Sequence, residues 1–188
     1  VGALSGQQGS AQSLSTYGTP GLIEMPTAEV LNDGEFGFTA SVVGPSYRYT
    51  SVFQVFPRVY GTFRYSIVSG LSAGGPNDGN LYDRSFDLHY QISDESGLGG
   101  QLETGKWFRG ETSVFAGVKW HVSDQTTLFA EYSPDVYTRE SVNTGIDIST
   151  PLNVGLEYRF KNGVNLKGYV VGGNEIGAQL SYVFNPAE

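Results

Sequence analysis

Regular alternation of apolar and polar side chains is the feature that most constrains how this chain can fold. The clearest stretch, residues 175–184, carries apolar side chains at every second position: Ile176, Ala178, Leu180, Tyr182 and Phe184. This period of two predicts a β-strand with one apolar and one polar face. Soluble sheets alternate in the same way, but about ten residues is the length that crosses a bilayer when tilted, whereas soluble strands usually have five or six. We therefore expect membrane-spanning strands.

The same alternation recurs along most of the chain. It predicts nine strands, at residues 35–43, 47–56, 59–68, 82–93, 112–122, 126–133, 152–160, 164–171 and 175–184. Tight turns are expected at residues 44–45, 57–58, 123–125 and 172–174, and at Asn162-Gly163, a strong hairpin signal. Longer loops are expected at residues 69–81 and 134–150. The predicted fold is all-β, an antiparallel transmembrane β-barrel.

Composition agrees with this fold and excludes several others. The chain has 188 residues, of which 39% are hydrophobic and 13% aromatic, but no apolar run approaches the twenty or so residues of a spanning helix. A formal charge of −8 and the lack of a Lys/Arg cluster argue against a nucleic-acid partner. The absence of cysteine excludes disulfides and thiolate metal sites.

Loop lengths predict the direction of the strands. Outer-membrane barrels have short periplasmic turns and long external loops. This rule places the turns at 57–58, 123–125 and 162–163 in the periplasm, and the loops at 69–81 and 134–150 outside. The fourth and fifth strands then run in the same direction, which requires an odd number of further strands between Ser93 and Thr112. Either residues 98–108 form a poor strand or a segment is missing there.

Three regions divide the chain. Residues 1–34 precede the barrel: residues 1–16 are expected to be a flexible leader from which any export signal has been removed. Residues 17–28, punctuated by Pro20, Gly21 and Pro26, are expected to form a periplasmic strap at the barrel base or, alternatively, a plug in its mouth. Residues 35–184 form the barrel, and residues 185–188 a short tail.

Charged and polar side chains are expected to line the lumen. The charged and histidine members of this set are Glu35, Arg48, Arg64, Asp83, Asp87, His89, Lys119, His121, Glu131, Glu157, Arg159 and Lys167. In a small barrel they can form a packed lumen of ion pairs and hydrogen bonds, because a buried charge needs a partner. Alternatively they line a polar conduit in which Arg48, Arg64, Asp87, Glu131, Glu157 and Arg159 exchange hydrogen bonds with a glycan.

No catalytic, metal or cofactor site is expected. A hydrolase would need a nucleophile, a base and an orienting carboxylate within hydrogen-bond reach, and His89 and His121 are the two histidines available. No Gly-x-Ser-x-Gly motif accompanies them. A close histidine pair for zinc is missing, and the loop residues Asp78, Asp135 and Asp147 lack the spacing of a calcium loop.

Outward aromatic residues near strand ends predict girdles at the membrane interfaces. They are Tyr47, Tyr49, Tyr65, Trp120, Tyr132, Tyr158, Phe160, Tyr182 and Phe184. A soluble β-sandwich that buries these rings is the alternative. The final strand, with its terminal aromatic Phe184, is similar to the signal read by the outer-membrane barrel-assembly machinery.

Five segments carry a family resemblance. They are TYGTPGLIEMPTAE at residues 16–29, FRYS at 63–66, YDRSFDL at 82–88, GGQLE at 99–103 and FAEYS at 129–133. They resemble the YjbH-type family of exopolysaccharide and capsule-associated outer-membrane proteins. Relatives usually carry more strands between the segments matching residues 92–95 and 99–103, so the resemblance implies an intact barrel of about ten to twelve strands.

The resemblance also implies a Gram-negative outer-membrane location and a role in exopolysaccharide or capsule secretion. The protein would be a passive, porin-like conduit for polysaccharide transport or a component of the export apparatus. Its expected partners are outer-membrane lipids, the barrel-assembly machinery, polysaccharide and other export proteins. A scaffold barrel with a filled lumen is the first alternative, and a small barrel hydrolase is the second.

Overall fold

A computed structural model describes residues 12–71, 79–91, 115–133 and 146–186. Nine strands form its regular structure: β1 (Phe36–Val43), β2 (Ser46–Phe56), β3 (Val59–Leu71), β4 (Gly79–Tyr90), β5 (Ala116–His121), β6 (Thr126–Tyr132), β7 (Leu152–Arg159), β8 (Val164–Val171) and β9 (Glu175–Phe184). Within these ranges there is no helix with the length and apolar character needed to cross a membrane.

All nine strands belong to one antiparallel sheet, in the order β4-β3-β2-β1-β9-β8-β7-β6-β5. The predicted all-β antiparallel fold is confirmed. The β3–β4 hairpin is longer than expected, because Ser69 pairs with Asn80 and Leu71 with Gly79 where the sequence predicted a loop. Ladder hydrogen bonds use backbone groups, so polar residues can continue a strand beyond the apolar alternation.

The two end strands of the sheet run in the same direction. Since every neighbouring pair is antiparallel and seven strands lie between β4 and β5, these two strands are parallel to each other. Direct pairing of β4 with β5 would therefore break the antiparallel pattern, as the loop-length argument predicted. Residues 98–108, whose strand character the sequence left open, lie outside the described ranges.

Three of the short turns lie at one end of the sheet, and the other two lie at the opposite end, where the strands joined by the long connections end or begin. The turns at residues 57–58, 122–125 and 160–163 share one end with Phe184, and this is called the turn end here. The strand ends Leu71, Gly79, Tyr132 and Leu152, between which the two long connections run, lie at the other end, called the loop end, together with the turns at 44–45 and 172–174.

The two faces of the sheet differ sharply in polarity. Large apolar side chains on the outward face remain exposed, with 79% of the surface of Ile176 and 64% of that of Trp120 accessible. On the inward face, polar side chains such as Gln179 and Lys167 are buried. Successive side chains of a strand point to opposite faces. A register slip of one residue would therefore turn the apolar side chains of a strand inward and its polar side chains outward.

Residues 12–34, called the plug segment here, pack against the inward face. The segment contacts Arg48 of β2 through Thr16 and Glu131 of β6 through Ile23. Because β2 and β6 are five places apart in the sheet, these contacts require the sheet to curl around the segment. Burial begins before the expected boundary at residue 16, since Ser13–Thr16 are almost fully enclosed. Residues 13–16 are enclosed, although a flexible leader was expected there, because they form hydrogen bonds with inward side chains of the sheet.

Apolar side chains of the plug segment join two clusters inside the curled sheet. One lies toward the loop end and comprises Leu22, Ile23, Met25, Val43, Phe129, Tyr169 and Val171, with Ile148 packed against it. The other comprises Leu14, Leu31, Val52 and Tyr60, with Val30 and Val183 against it. Both clusters combine plug and wall residues, so the segment contributes to the core of the fold.

We expect Gly177→Ala to destabilise the protein, because its Cβ would overlap the Tyr169 ring and lie 2.7 Å from the Val42 carbonyl oxygen. Overpacking of this kind costs about 1–3 kcal/mol. Gly168→Ala on the neighbouring strand is the matched control, since its Cβ would meet nothing within 4 Å. Urea unfolding in lipid vesicles measures both, and equal midpoints for the two variants would contradict the packing of Tyr169 over Gly177.

Candidate functional site

The candidate site is the buried polar interface between the plug segment and the sheet. At its centre the carboxylate of Glu131 accepts hydrogen bonds from three consecutive backbone amides: Oε1 lies 2.6 Å from Ile23 N, 3.0 Å from Glu24 N and 3.0 Å from Met25 N. Asn153 Nδ2 donates to the other oxygen at 3.1 Å. Successive amides that converge on one point form an anion-binding concavity, here filled by a side chain of the wall.

Lys167 provides the complementary contact. Its ammonium donates to the carbonyl oxygens of Leu14 at 2.6 Å and Leu22 at 2.5 Å, and lies 3.5 Å from Glu157 Oε2. It also lies 4.4 Å from the centre of the Phe129 ring. The lysine is 1% exposed, so its charge is neutralised by these groups rather than by solvent.

Further hydrogen bonds fasten the start of the plug segment. Ser13 Oγ donates to Glu157 Oε1 at 2.6 Å, and Gln179 Nε2 donates to the Leu14 carbonyl oxygen at 2.7 Å. On β1, Ser41 Oγ donates to the Thr16 carbonyl oxygen at 3.0 Å. Irregular backbone inside a sheet must find partners for its amides and carbonyls, and the inward polar side chains provide them.

A continuous polar row crosses all nine strands at this level. Successive register partners on the inward face are His121, Thr127, Glu157, Lys167, Gln179, Ser41, Arg48, Ser66 and Asp83. Each strand contributes one polar or charged side chain. This row is called the polar belt here. Its members on β1, β2, β7, β8 and β9 contact residues 13–16 of the plug segment, whereas His121 and Asp83 on the two end strands are exposed.

An aromatic and cationic cluster lies where the belt crosses β2 and β3. The guanidinium carbons of Arg48 and Arg64 lie 4.5 and 5.0 Å from the centre of the Tyr17 ring. Arg48 also lies 3.7 Å from Glu24, and Arg64 3.8 Å from Asp87. Cation–π contacts of this length are attractive and strengthen as water is excluded. They attach Tyr17 of the plug segment to the wall.

Glu29 and Lys119 join the plug segment to the β5 edge. Lys119 Nζ lies 2.7 and 2.9 Å from the two carboxylate oxygens of Glu29. Burial raises the pKa of the Glu29 carboxyl, but the hydrogen bonds and charge of Lys119, with hydrogen bonds from Thr27 and Gln12, outweigh burial. The pKa of Glu29 therefore lies below its ordinary value of 4.5.

The remaining predicted lumen residues occupy less enclosed positions. His89 stacks on Tyr60 with ring centroids 4.5 Å apart, while His121 Nδ1 lies 3.0 Å from Thr127 Oγ1. The two histidines lie on β4 and β5, the opposite end strands of the sheet. Glu35 accepts hydrogen bonds from Asn32 at a turn before β1.

Arg159 and Asp83 complete the predicted set. Both lie on inward register positions, Arg159 opposite Asn165 and Asp83 opposite Ser66. Within the described ranges, no three His, Asp or Glu side chains are grouped as a metal ion would need. Of the loop aspartates, Asp147 accepts a hydrogen bond from Asn174, and Asp78 and Asp135 lie outside those ranges.

The predicted aromatic residues lie on the outward face. Eight of them occupy outward register positions on β2, β3, β5, β6, β7 and β9, and Phe160 follows β7 directly. Tyr158, Phe160, Tyr182 and Phe184 cluster toward the turn end, with the Tyr182 and Phe184 rings 5.5 Å apart. Tyr47 and Tyr49 lie in the half of β2 nearer the loop end, and Tyr65 lies at the midpoint of β3.

Sequence reasoning missed the groups of the plug segment that complete the site. They are backbone amides and carbonyls, such as those of Ile23 and Leu22, which carry no signature in the side-chain sequence. The available signal was the row of polar residues at inward positions, Ser41 and Gln179 among them. A polar inner face predicts a partner for that face, but not which segment supplies it.

Replacement of Lys167 by Met should destabilise the protein by about 3–5 kcal/mol, because it leaves Glu157 as an uncompensated buried charge. Adding Glu157→Gln should recover part of this loss, since the unpaired charge is then removed. Urea unfolding measures the stability of the wild type, the single variant and the double variant. Lys161→Met, at an exposed turn, is the control for losing a lysine. A single variant as stable as wild type would contradict the buried pair.

The Glu29–Lys119 contact should make stability depend on pH. A depressed folded pKa means that ionised Glu29 stabilises the protein above the unfolded value near 4.5, and that this contribution is lost as pH falls through the folded pKa. The stability difference between wild type and Glu29→Gln should therefore be present at pH 7 and disappear in acid. A stability difference that does not change with pH would contradict the role of the Glu29–Lys119 contact. Asp124→Asn, at an exposed turn, is the control for the loss of one carboxylate.

Comparisons with known proteins identify the family. No curated protein gives a significant match. A solved structure described as a de novo designed transmembrane β-barrel is similar over 83% of this chain and all of its own, at 11% identity and a TM-score of 0.30, which is too low to carry an argument. The family model described as exopolysaccharide biosynthesis protein YbjH matches residues 13–98 and 94–188. The chain belongs to this family, YjbH, as its sequence motifs predicted.

Proposed function

We propose that the protein is an outer-membrane barrel that serves the secretion of exopolysaccharide or capsule as a non-catalytic structural component, with its lumen filled by its own plug segment. The family name supplies the link to exopolysaccharide. Burial of Ser13–Thr16, Leu22 and Ile23 within the curled sheet is the observation that carries the filled lumen.

Placement in a Gram-negative outer membrane is supported by the outward face. Its large apolar side chains are exposed across all the described strands, including Leu88, Trp120 and Leu180. Soluble monomers rarely expose contiguous apolar patches larger than a few hundred Å². A bilayer would cover this face, and the tyrosine and phenylalanine rings toward both ends would lie at its interfaces.

A scaffold is favoured over an open conduit because the groups expected to bind a glycan already have partners. The carboxylate of Glu131 is occupied by the amides of Ile23–Met25, and that of Glu157 by Ser13 and Lys167. Arg48 contacts Thr16 and Tyr17. A glycan could use these side chains only after replacing about as many hydrogen bonds as it makes.

A gated conduit is the second candidate, favoured by the polar wall beside the plug segment. Thr39, Thr50, Asn165 and Ser181 are register neighbours on β1, β2, β8 and β9, and carry buried side-chain oxygens or nitrogens with no hydrogen-bond partner in the described part of the chain. Buried polar groups are normally satisfied by protein or ordered water. If the plug segment moved, this wall and the polar belt would line a hydrated lumen.

The partners that follow from this proposal are outer-membrane lipids, the barrel-assembly machinery and other export proteins. β9 is paired on both sides, with β8 and with β1, so it joins the first and last parts of the chain within the sheet. An assembly factor that recognised β9 would act where the N-terminal strands β1–β4 meet the C-terminal strands β5–β9. Catalysis, metal ions and cofactors have no part in the proposal.

Single-channel recording of the full-length chain in planar bilayers tests the filled lumen. We expect stable insertion with no steady conductance. Glu131→Gln with Lys167→Met, which weakens both central contacts of the plug segment, should produce intermittent conductance, whereas Asp83→Asn at an exposed belt position should remain silent. If the wild type conducted steadily and exopolysaccharide fragments blocked the current, the scaffold proposal would be wrong and the conduit proposal would take its place.

A further inference from the structure

Two neighbouring rows of inward side chains on β8, β9, β1 and β2 differ in how they meet the plug segment. The polar belt supplies one row, and its members on these strands donate hydrogen bonds to Leu14 and Thr16. The other row lies one inward position nearer the turn end. It is called the unpaired row here, and its successive register partners are Asn165, Ser181, Thr39 and Thr50.

The side chains of the unpaired row are buried without hydrogen-bond partners. Each of the four residues is at most 4% exposed. The amide group of Asn165 and the hydroxyl oxygens of the other three have no partner in the part of the chain that the structure describes. Buried polar groups are normally paired with protein or ordered water. Four adjacent exceptions on one wall therefore call for a physical explanation.

The plug segment covers this row with groups that do not pair with it. Leu14 crosses the row, because its carbonyl oxygen binds the polar belt on one side and its Cδ1 lies 3.1 Å from where a Cβ of Gly37 would lie on the other. Gly18 lies over Thr50, since a Cβ at residue 18 would be 2.4 Å from the Thr50 Cβ. The Gly18 amide donates to the Ser15 carbonyl oxygen at 2.9 Å, within the segment itself.

Closure of the lumen therefore deprives the unpaired row of hydrogen bonds. In a hydrated lumen, water would pair with each of its hydroxyl and amide groups, whereas under the plug segment nothing replaces that water. One buried polar group without a partner disfavours the closed arrangement by about tenfold relative to an apolar group of the same shape. The polar belt holds the plug segment, and the unpaired row opposes it.

The path of the plug segment allows it to leave the lumen as one unit. Its two ends lie together at the turn end, where Glu29 binds Lys119 near the end of β5 and accepts a hydrogen bond from Gln12. Its middle, residues 22–25, reaches the apolar cluster beside Val43 at the loop end. A segment with this path clears the lumen by moving toward the turn end.

We propose that the unpaired row promotes release of the plug segment, because its side chains gain hydrogen bonds only when the segment leaves. The belt and the row then have opposite effects on one equilibrium, although they lie side by side on the same strands. This inference rests on the proposed filled lumen, and it names the residues that determine how often the lumen opens.

Cysteine labelling tests the proposal, since the chain contains no cysteine. Ser15→Cys places a thiol on a fully buried part of the plug segment, and its rate of reaction with a water-soluble maleimide in lipid nanodiscs measures how often the segment opens. In this background Thr39→Val and Ser181→Ala should each slow labelling about tenfold. Folded gel mobility of the labelled protein verifies that the barrel itself has not unfolded.

The matched control is Ser41→Ala, one inward position from Thr39 on β1. This change removes a hydroxyl that donates to the Thr16 carbonyl oxygen, so it should speed labelling about fivefold. Two small polar residues on the same face of one strand are thus expected to act in opposite directions.

The possible failures are distinguishable. Labelling that Thr39→Val and Ser181→Ala leave unchanged would overturn the role of the unpaired row and leave the filled lumen intact. Absence of labelling even with Ser41→Ala would show that the plug segment does not open, and would also overturn the inference. If Ser15→Cys reacted as fast as Asp124→Cys at an exposed turn, the filled lumen would be wrong, and this inference with it.

Discussion

The rest of the structure depends on the hydrogen bonds between Glu131 and three consecutive amides of the plug segment, paired with those between Lys167 and two of its carbonyls. Inside a sheet of this size an irregular segment has no ladder of its own, so each buried amide or carbonyl needs an outside partner. Glu131 and Lys167 are such partners, and they lie on strands whose register directs them inward. The same register directs Leu128 and Leu166 outward, so one pairing scheme produces both the polar interior and the apolar exterior.

This arrangement changes what the inward charges mean for function. Charged residues in a lumen are a natural surface for a passing glycan, but here Glu131, Glu157 and Lys167 are buried and hold the plug segment. These charges determine where the plug segment binds more than they stabilise the fold, because the free energy lost in removing them from water offsets much of the attraction between them. Removing one partner of a buried charge pair is nevertheless strongly destabilising. The loss of a single charge could therefore separate the plug segment from the wall. In the function proposed above, scaffold and gated conduit would be two states of one architecture, and the equilibrium between them is the quantity to measure.

Much of the wall could be predicted from the sequence, and little of the plug. The faces of β1, β2 and β9 follow from strict alternation, since a side-chain period of two leaves no freedom once one face is apolar. Loop lengths were enough to show that β4 and β5 run in the same direction. The β3–β4 hairpin was placed too short, because Asn80 and Ser69 pair through backbone groups that alternation does not report. The plug was hidden for a related reason: Ser13, Leu14 and Ile23 bind through hydroxyl and backbone groups in a stretch without periodicity.

The sequence by itself determined the fold class, the inward and outward sets of side chains, and the family, because each is a property of local pattern or motif. Only the tertiary structure decided which groups meet across long separations in the chain. Ser13 and Glu157 are 144 positions apart, and Lys167 and Leu14 are 153 apart, yet each pair is in hydrogen-bond contact. Such contacts depend on how the sheet curls and what fills it, and no repeat within a single strand encodes that curvature.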